Sequence, residues 1–306
     1  MLHRLLFLPT LLLAGQTTIK VDVQLVNVAF AVRDANGALV MDRNKDDFEV
    51  FEDGVPQNIS FFARGTDVPL AIGLIVDFSG SQEHFAKQHH HDLLAFLKSV
   101  LGPRDRAFLL CFGNHLRLAS DLTGDSNEIL DGLSQFEKGK YDFPELGPPD
   151  EDRELGTAFY DAIYYSIEEK LAKAGNGRRA LVLFSDGEDN SSAHHMMDAI
   201  EEAQAENVLC FAVRYTESPH GHLTARNKYG TSVMDRLASE TGALHFDARQ
   251  GDLRTHFAQI GDVLRSSYEL AYHSTNPVRD GSFRKIVIRA RQPGLAVRAK
   301  TGYFAR

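Results

Sequence analysis

Five oxygen-bearing side chains stand out because their types and spacing could hold a metal ion. Asp77, Ser79 and Ser81 occur together in the segment D-F-S-G-S, whereas Thr157 and Asp186 follow much later in the segments G-T and S-D-G. Hydroxyl and carboxylate oxygens are hard donors that suit Mg²⁺, Mn²⁺ or Ca²⁺ and not soft metals. Because Mg²⁺ keeps several waters and needs few direct protein bonds, these residues predict a divalent-cation site that favours Mg²⁺.

The elements around these residues predict that they meet at one edge of a sheet. The apolar run A-I-G-L-I-V at 71–76 is typical of a strand buried on both faces of a parallel sheet, and Asp77 follows it directly. Thr157 opens a predicted helix, and Asp186 follows the buried strand A-L-V-L-F. Strands and helices alternate along 67–267, which indicates a doubly wound, mostly parallel six-stranded sheet flanked by helices. Ligands of such folds bind beyond the carboxyl ends of the strands.

Strand and turn signals flank this α/β region on both sides. Segment 16–66 contains short strand-like runs with turns at Asn36-Gly37 and Gly54, and segment 268–306 contains further strands. An isolated hairpin is marginally stable, so the C-terminal segment is too short to fold alone. We therefore expect the two segments to pack as one small β domain into which the α/β domain, 67–267, is inserted.

The five polar residues resemble the metal-ion-dependent adhesion site of von Willebrand factor type A (VWFA) domains, whose pattern is D-x-S-x-S with a distant Thr and a distant Asp. The resemblance covers residues 68–267 and implies the Rossmann-like VWFA fold. Phe78 and Gln82 depart from the commoner Thr and Met, and neither would coordinate a metal. The segment K-D-D-F-E-V-F-E-D-G and the final G-Y-F also resemble a bacterial VWFA-related family common in Acidobacteria.

This resemblance implies a role for each residue. Ser79, Ser81 and Thr157 would bind the cation directly, while Asp77 and Asp186 would act mostly through water. An acidic group of a protein or surface polymer would fill the open coordination position, because a cation with neutral hydroxyl ligands keeps much of its charge. The expected function is therefore metal-dependent protein binding or cell adhesion. VWFA domains also couple site occupancy to movement of their last helix, which here runs directly into the C-terminal β segment.

Residues 1–15 resemble a secretory signal peptide. A basic start at Arg4 precedes a short apolar run that ends in the small residues Ala14 and Gly15. The run is shorter than the roughly 20 residues that a membrane-spanning helix needs, and no later apolar stretch is long enough. We expect export to the periplasm, the cell surface or the medium.

Other metal motifs are weaker. Asp42, Asn44 and Asp46 have the opening spacing of a calcium loop, but Asp47 stands where the loop requires glycine, so we expect an exposed acidic turn. Among the three consecutive histidines at 89–91, adjacent helical positions point in different directions. We expect the first to lie on the apolar face of its helix and the other two to face water.

The two cysteines, Cys111 and Cys210, lie in separate strand-like runs. The fold expected above places these strands apart in the sheet. We therefore expect two buried free thiols that behave as small apolar residues.

Composition and missing motifs exclude several functions. A formal net charge of −9 argues against a nucleic-acid surface, which needs clustered Lys and Arg. The chain has no G-x-S-x-G, no H-E-x-x-H and no glycine-rich phosphate loop, so we expect no enzyme. Two alternatives stay open: a structural scaffold that the metal stabilises, and a metal-assisted hydrolase.

Overall fold

The computed structural model describes residues 25–65, 68–140, 142–148, 156–175, 177–216 and 222–306, so the expected signal peptide lies outside the described residues. The strands are β1 (Leu25–Arg33), β2 (Phe48–Glu52), β3 (Val55–Gln57), β4 (Ile59–Gly65), β5 (Leu70–Asp77), β6 (Arg106–Phe112), β7 (Leu116–Thr123), β8 (Arg178–Ser185), β9 (Val208–Arg214), β10 (His245–Asp247), β11 (Ser267–His273), β12 (Phe283–Ala290), β13 (Ala296–Ala299) and β14 (Gly302–Phe304). The α-helices are α1 (Ala86–Val100), α2 (Ser126–Glu137), α3 (Phe159–Tyr165), α4 (Met196–Ala205), α5 (Ala225–Thr241) and α6 (Leu253–Arg265).

A six-stranded sheet forms the centre of the α/β domain. Its strand order is β10-β9-β8-β5-β6-β7, and every neighbouring pair is parallel except β6 and β7. All residues of β5 are buried, as the continuous apolar run predicts. The chain leaves β5 toward β6 on one side and later returns to its other side at β8. The fold prediction is confirmed, and the strand order reverses at β5, where doubly wound folds form their ligand crevice.

Amphipathic helices cover the sheet. In α6, for example, Phe257, Ile260 and Leu264 are buried against the central core, as their spacing of three and four residues requires. The sequence pattern predicts a helix from Val233 to Glu240, but α5 begins at Ala225. Thr224 caps it there: the Thr224 hydroxyl accepts a hydrogen bond from the backbone N–H of Asn227. No helix among the described residues is long and apolar enough to cross a membrane.

The N- and C-terminal segments form the β domain together. One four-stranded sheet has the order β13-β1-β11-β4 and the other β14-β12-β2-β3, so each sheet combines strands from both ends of the chain. Asp53 and Gly54 both have positive φ, 48° and 82°, in the tight turn between β2 and β3. A second hydrophobic core, which includes Phe30, Phe48 and Tyr268, fills the space between the sheets. The expected pairing of the two segments is confirmed.

Two buried basic side chains join the β domain to the α/β domain. Arg178, at the start of β8, donates hydrogen bonds to the backbone carbonyl of Leu264 and, at 3.1 Å, to the carboxylate of Glu269. Lys300 Nζ donates to the backbone carbonyl of Gln204 at 2.8 Å. Burial lowers the pKa of Lys300 to about 7. Arg178 therefore ties the end of α6 to the start of β8 and to β11, and Lys300 ties the β domain to the end of α4.

Cys111 and Cys210 are buried free thiols on β6 and β9, with β5 and β8 between them. This separation confirms the expectation from the sequence. Burial raises the pKa of both thiols, that of Cys210 to about 12, so they stay protonated and pack as small apolar residues.

Candidate metal centre

Asp77, the last residue of β5, connects the carboxyl end of this strand to that of β8 through hydrogen bonds. Its carboxylate is fully buried; Oδ1 accepts a hydrogen bond from the backbone N–H of Ser79 at 2.9 Å, and Oδ2 accepts one from the Ser185 hydroxyl at 2.6 Å. Because β5 and β8 are parallel neighbours, their last residues emerge at the same edge. Asp77 thus fixes the loop that carries both serines against the loop that carries Asp186.

The two serine hydroxyls lie next to each other. Ser79 Oγ and Ser81 Oγ are 3.2 Å apart, and Ser79 is buried whereas Ser81 is exposed. Ser79 has extended backbone, and a 3₁₀ turn, Gly80–Phe85, follows it. The pair therefore presents two adjacent hydroxyl oxygens at the rim of the strand edge.

The backbone of Thr157 forms hydrogen bonds that fix the position of this residue. Its N–H donates to Asn190 Oδ1 at 2.7 Å, and its carbonyl accepts from the backbone N–H groups of Asn190 and Ser191 at 3.0 and 3.2 Å. The next N–H, that of Ala158, donates to the carbonyl of Gly113 at 2.7 Å. A Cβ on Gly113 would lie 3.9 Å from Ser79 Cα, so this glycine lies beside the serine loop.

These contacts place Thr157 among the loops that follow β5, β6 and β8. The helix begins at Phe159 and not at Thr157, which corrects the expected helix start by two residues. Because Thr157 lies before the helix, its backbone N–H and carbonyl groups are available to bond to the loop after β8.

Asp186 is buried and bonded to the serine loop. Its Oδ2 accepts a hydrogen bond from Gln82 Nε2 at 2.9 Å, and its Oδ1 accepts one from the backbone N–H of Glu188 at 3.1 Å. Gln82 Nε2 also donates to the carbonyl of Tyr215 at 3.2 Å. Gly187 is required after Asp186, because its φ is +79° and a Cβ would lie 2.5 Å from the carbonyl oxygen of Gly230.

Sequence reasoning missed three residues of this site: Gln82, Ser185 and Asn190. Gln82 was considered only as a residue that would not coordinate a metal, yet its amide donates a hydrogen bond to the carboxylate of Asp186. A polar residue directly after the D-x-S-x-S segment, at a position that is 1% exposed, is the signal that could have pointed to it. Ser185 and Asn190 lie beside predicted site residues and act through bonds that only the fold shows.

The two carboxylates create an unbalanced negative charge. The pKa of Asp77 rises to about 7, first because of burial and second because of the charge of Asp186, while hydrogen bonds from Ser185 and Ser79 oppose the rise. Within the described residues, no Lys or Arg forms an ion pair with Asp77 or Asp186. Buried charge of one sign favours a bound cation, and the oxygen donors fit a hard one.

Competing metal sites are absent from the part of the chain that the structure describes: no group of three or more His, Cys, Asp or Glu side chains there could hold a metal ion. His89 is buried beside Phe85 and Tyr215, and burial lowers its pKa to about 4, so the ring is neutral. The prediction that it lies on the apolar face is confirmed. Asp42 is exposed and pairs with Arg43, which confirms the acidic-turn interpretation.

No protein family model matches the sequence, and no curated protein matches it. Solved structures similar to this chain include an aerotolerance-related membrane protein from Bacteroides fragilis, at 13% identity over 64% of this chain and 98% of that chain with a TM-score of 0.46. The SpRpn10 VWA domain matches at 14% identity over 65% and 98% of the two chains, with a TM-score of 0.41. Proximal thread matrix protein 1 from the mussel byssus, with a zinc-occupied MIDAS motif, matches at 15% identity, 66% of this chain, 50% of that chain and a TM-score of 0.45.

Proposed function

We propose that this protein is an exported binding module that uses a divalent cation to capture an acidic group of a partner. One observation carries the proposal: the loops after β5 and β8 bring Asp77, Ser79, Ser81 and Asp186 to the edge where the strand order reverses. The Thr157 segment is fixed beside them through Gly113 and Asn190.

The oxygen donors of the five residues suggest a role for each of them in cation binding. The hydroxyls of Ser79, Ser81 and Thr157 would hold the cation directly, and the buried carboxylates of Asp77 and Asp186 would neutralise part of its charge from behind. The bound cation would act as a Lewis acid that retains net positive charge toward solvent. Mg²⁺ is favoured, and Mn²⁺ or Ca²⁺ would suit the same donors. A carboxylate on a protein or surface polymer is then the complementary ligand.

Binding is favoured over catalysis by the surroundings of the serines. A nucleophilic serine needs a base within hydrogen-bond reach, whereas within the described residues the Ser79 hydroxyl bonds to Ser81. Glu188, the nearest acid in sequence to Asp186, is occupied by Arg226 at 2.5 Å.

The first test is cation binding measured by isothermal titration calorimetry. Ser79→Ala should weaken Mg²⁺ binding at least tenfold, because it removes a direct ligand. Ser166→Ala is the matched control, since Ser166 is also buried, lies on the π-helical segment Ser166–Leu171 after α3 and has no bonded partner for its hydroxyl within the described residues. Equal Mg²⁺ affinity of the two variants and the unchanged protein would contradict the site.

The second test separates a binding module from a scaffold that a metal stabilises. An immobilised poly-aspartate surface should retain the protein in Mg²⁺ and release it in chelator, and Ser79→Ala should not be retained. If the cation raises the melting temperature but retention ignores both chelator and Ser79→Ala, the scaffold alternative replaces the proposal.

Export rests on residues 1–15 alone. N-terminal sequencing of the protein from its native cells should find a mature chain that starts at Gln16, and an intact Met1 would contradict export. Similarity to the Acidobacteria VWFA-related family also stays a prediction.

A further inference from the structure

A cavity of about 520 Å³ adjoins the serine loop on the β6 side of the candidate metal centre. Phe78, the residue between Asp77 and Ser79, lines this cavity together with Gly113, which lies beside Ser79. Consecutive Cα atoms are about 3.8 Å apart, so the cavity begins one residue from a proposed cation ligand. A partner bound to the cation is therefore close enough to contact this cavity as well.

The floor of the cavity is apolar. The rings of Phe78 and Phe136 pack with centroids 4.8 Å apart, and Ala86, the first residue of α1, adds a methyl group. Phe136 is buried, whereas Phe78 is only partly buried. Such a floor gains free energy when a large apolar or aromatic side chain covers it.

Most of the charged groups around this floor have a polar partner within the protein. His115 Nδ1 and Arg117 Nη1 both contact the carboxylate of Glu145, at 2.8 and 3.2 Å. Glu137 lies 3.2 Å from His90. The lining also contains the exposed Glu83, so a second acidic group is disfavoured there. The cavity thus complements an uncharged side chain, in contrast to the adjoining cation site.

We infer that the cavity is a specificity subsite for an aromatic or large aliphatic side chain of a peptide whose carboxylate binds at the cation site. This inference rests on the proposed function and adds to it the chemistry of the partner. In an extended peptide, side chains two residues apart point to the same side and lie about 7 Å apart. The apolar residue should therefore occur within two positions of the acidic one.

The test is selection from a phage-displayed library of random peptides in Mg²⁺, with elution by chelator. The expected product is a family of peptides with an Asp or Glu and, within two positions, a Phe, Tyr, Trp, Leu or Ile. The best peptide is then labelled, and its affinity is measured by fluorescence anisotropy. Replacing its apolar residue with Ala should weaken binding at least tenfold.

Ala86→Glu tests the cavity from the protein side. An acid at the first residue of a helix is compatible with the helix dipole, and this one introduces a charge into the cavity. It should weaken the selected peptide at least tenfold while Mg²⁺ affinity stays unchanged. Lys87→Gln is the control, because it changes the net charge by the same amount at an exposed neighbouring position.

The outcomes separate the two claims. Chelator-sensitive peptides that share an acidic residue but no nearby apolar one would overturn the subsite and leave the proposed function intact. Equal peptide affinity of Ala86→Glu and Lys87→Gln would also overturn the subsite. A selection without any chelator-sensitive enrichment would overturn the proposed function and this inference together.

Discussion

Replacing Asp77 with Asn should stabilise the cation-free protein while it weakens cation binding. Asn has the same shape as Asp, its Oδ1 can still accept from the backbone N–H of Ser79, and its amide can donate to the Ser185 hydroxyl, which accepts as well as donates. The variant removes the buried charge that Asp186 opposes. Local geometry is therefore preserved while the electrostatic cost of the site disappears.

The magnitude follows from the raised pKa of Asp77. The folded protein raises this pKa from the ordinary 3.8 to about 7. Between these pH values the folded state holds a proton that the unfolded state has lost, so the free energy of unfolding falls as pH rises through the window. Each pKa unit corresponds to about 1.4 kcal/mol, which gives a cost of about 4 kcal/mol above pH 7. Asp77→Asn lacks this cost.

The assay is urea unfolding in chelator between pH 4 and pH 8, followed by the helical circular dichroism signal because the chain contains no Trp. The variant and the unchanged protein should be equally stable near pH 4, and the variant should be more stable by up to about 4 kcal/mol at pH 8. Added Mg²⁺ should reverse the order: a concentration of 100 times Kd stabilises the unchanged protein by about 2.7 kcal/mol and the variant much less.

A constant difference between the two proteins across this pH range would refute the reasoning, because it would mean that Asp77 does not carry an opposed buried charge. An Asp77→Asn variant that still gains full stability from Mg²⁺ would show that the carboxylate takes no part in holding the cation.

Three further predictions concern the neighbourhood of the site and the domain junction. Gln82→Leu should lower the free energy of unfolding by about 1–3 kcal/mol in chelator, because a hydrogen bond to the buried carboxylate of Asp186 is lost; urea unfolding measures this, and an unchanged midpoint would contradict it. Relative to Lys300→Met, the unchanged protein should gain about 1.4 kcal/mol per pH unit from pH 7 to 9, since only the unfolded lysine stays protonated there; parallel stability curves would disprove it. Mg²⁺ with the selected acidic peptide should slow amide hydrogen exchange in 253–272, which Arg178 ties to the sheet; identical exchange would dispose of a relay through α6.

Much of the architecture could be predicted because it follows from local patterns. The unbroken apolar run before Asp77 predicts a strand buried on both faces, and β5 is buried at every position. Alternation of strands and helices predicts the doubly wound sheet. Turn residues such as Gly54 predict the hairpins of the β domain. Ligands of doubly wound folds bind beyond the carboxyl ends of the strands, and this rule indicated which polar residues form the candidate site.

Element ends were harder to predict than elements. The start of α5 was placed several residues too late because the polar, glycine-containing stretch from Ala225 has no apolar periodicity. Its capping by Thr224, together with packing of Gly230 against Asp186, stabilises helix there. Thr157 was placed at the start of a helix, but its backbone N–H bonds to Asn190 instead. A local cap and tertiary packing outweighed propensity at the start of α5, and tertiary hydrogen bonds did so at Thr157.

The amino-acid sequence by itself determined which segments become buried strands and which oxygen-bearing side chains end them, because both depend on residues within a few positions of one another. Only the tertiary structure decided that the hydroxyl of Ser185 bonds to Asp77, that Gln82 holds Asp186, and that an apolar cavity lies beside Ser79. Those contacts join residues more than a hundred positions apart or depend on the shape left between packed elements. Strand order and helix packing decide which of these distant residues come into contact, and no local sequence pattern encodes that.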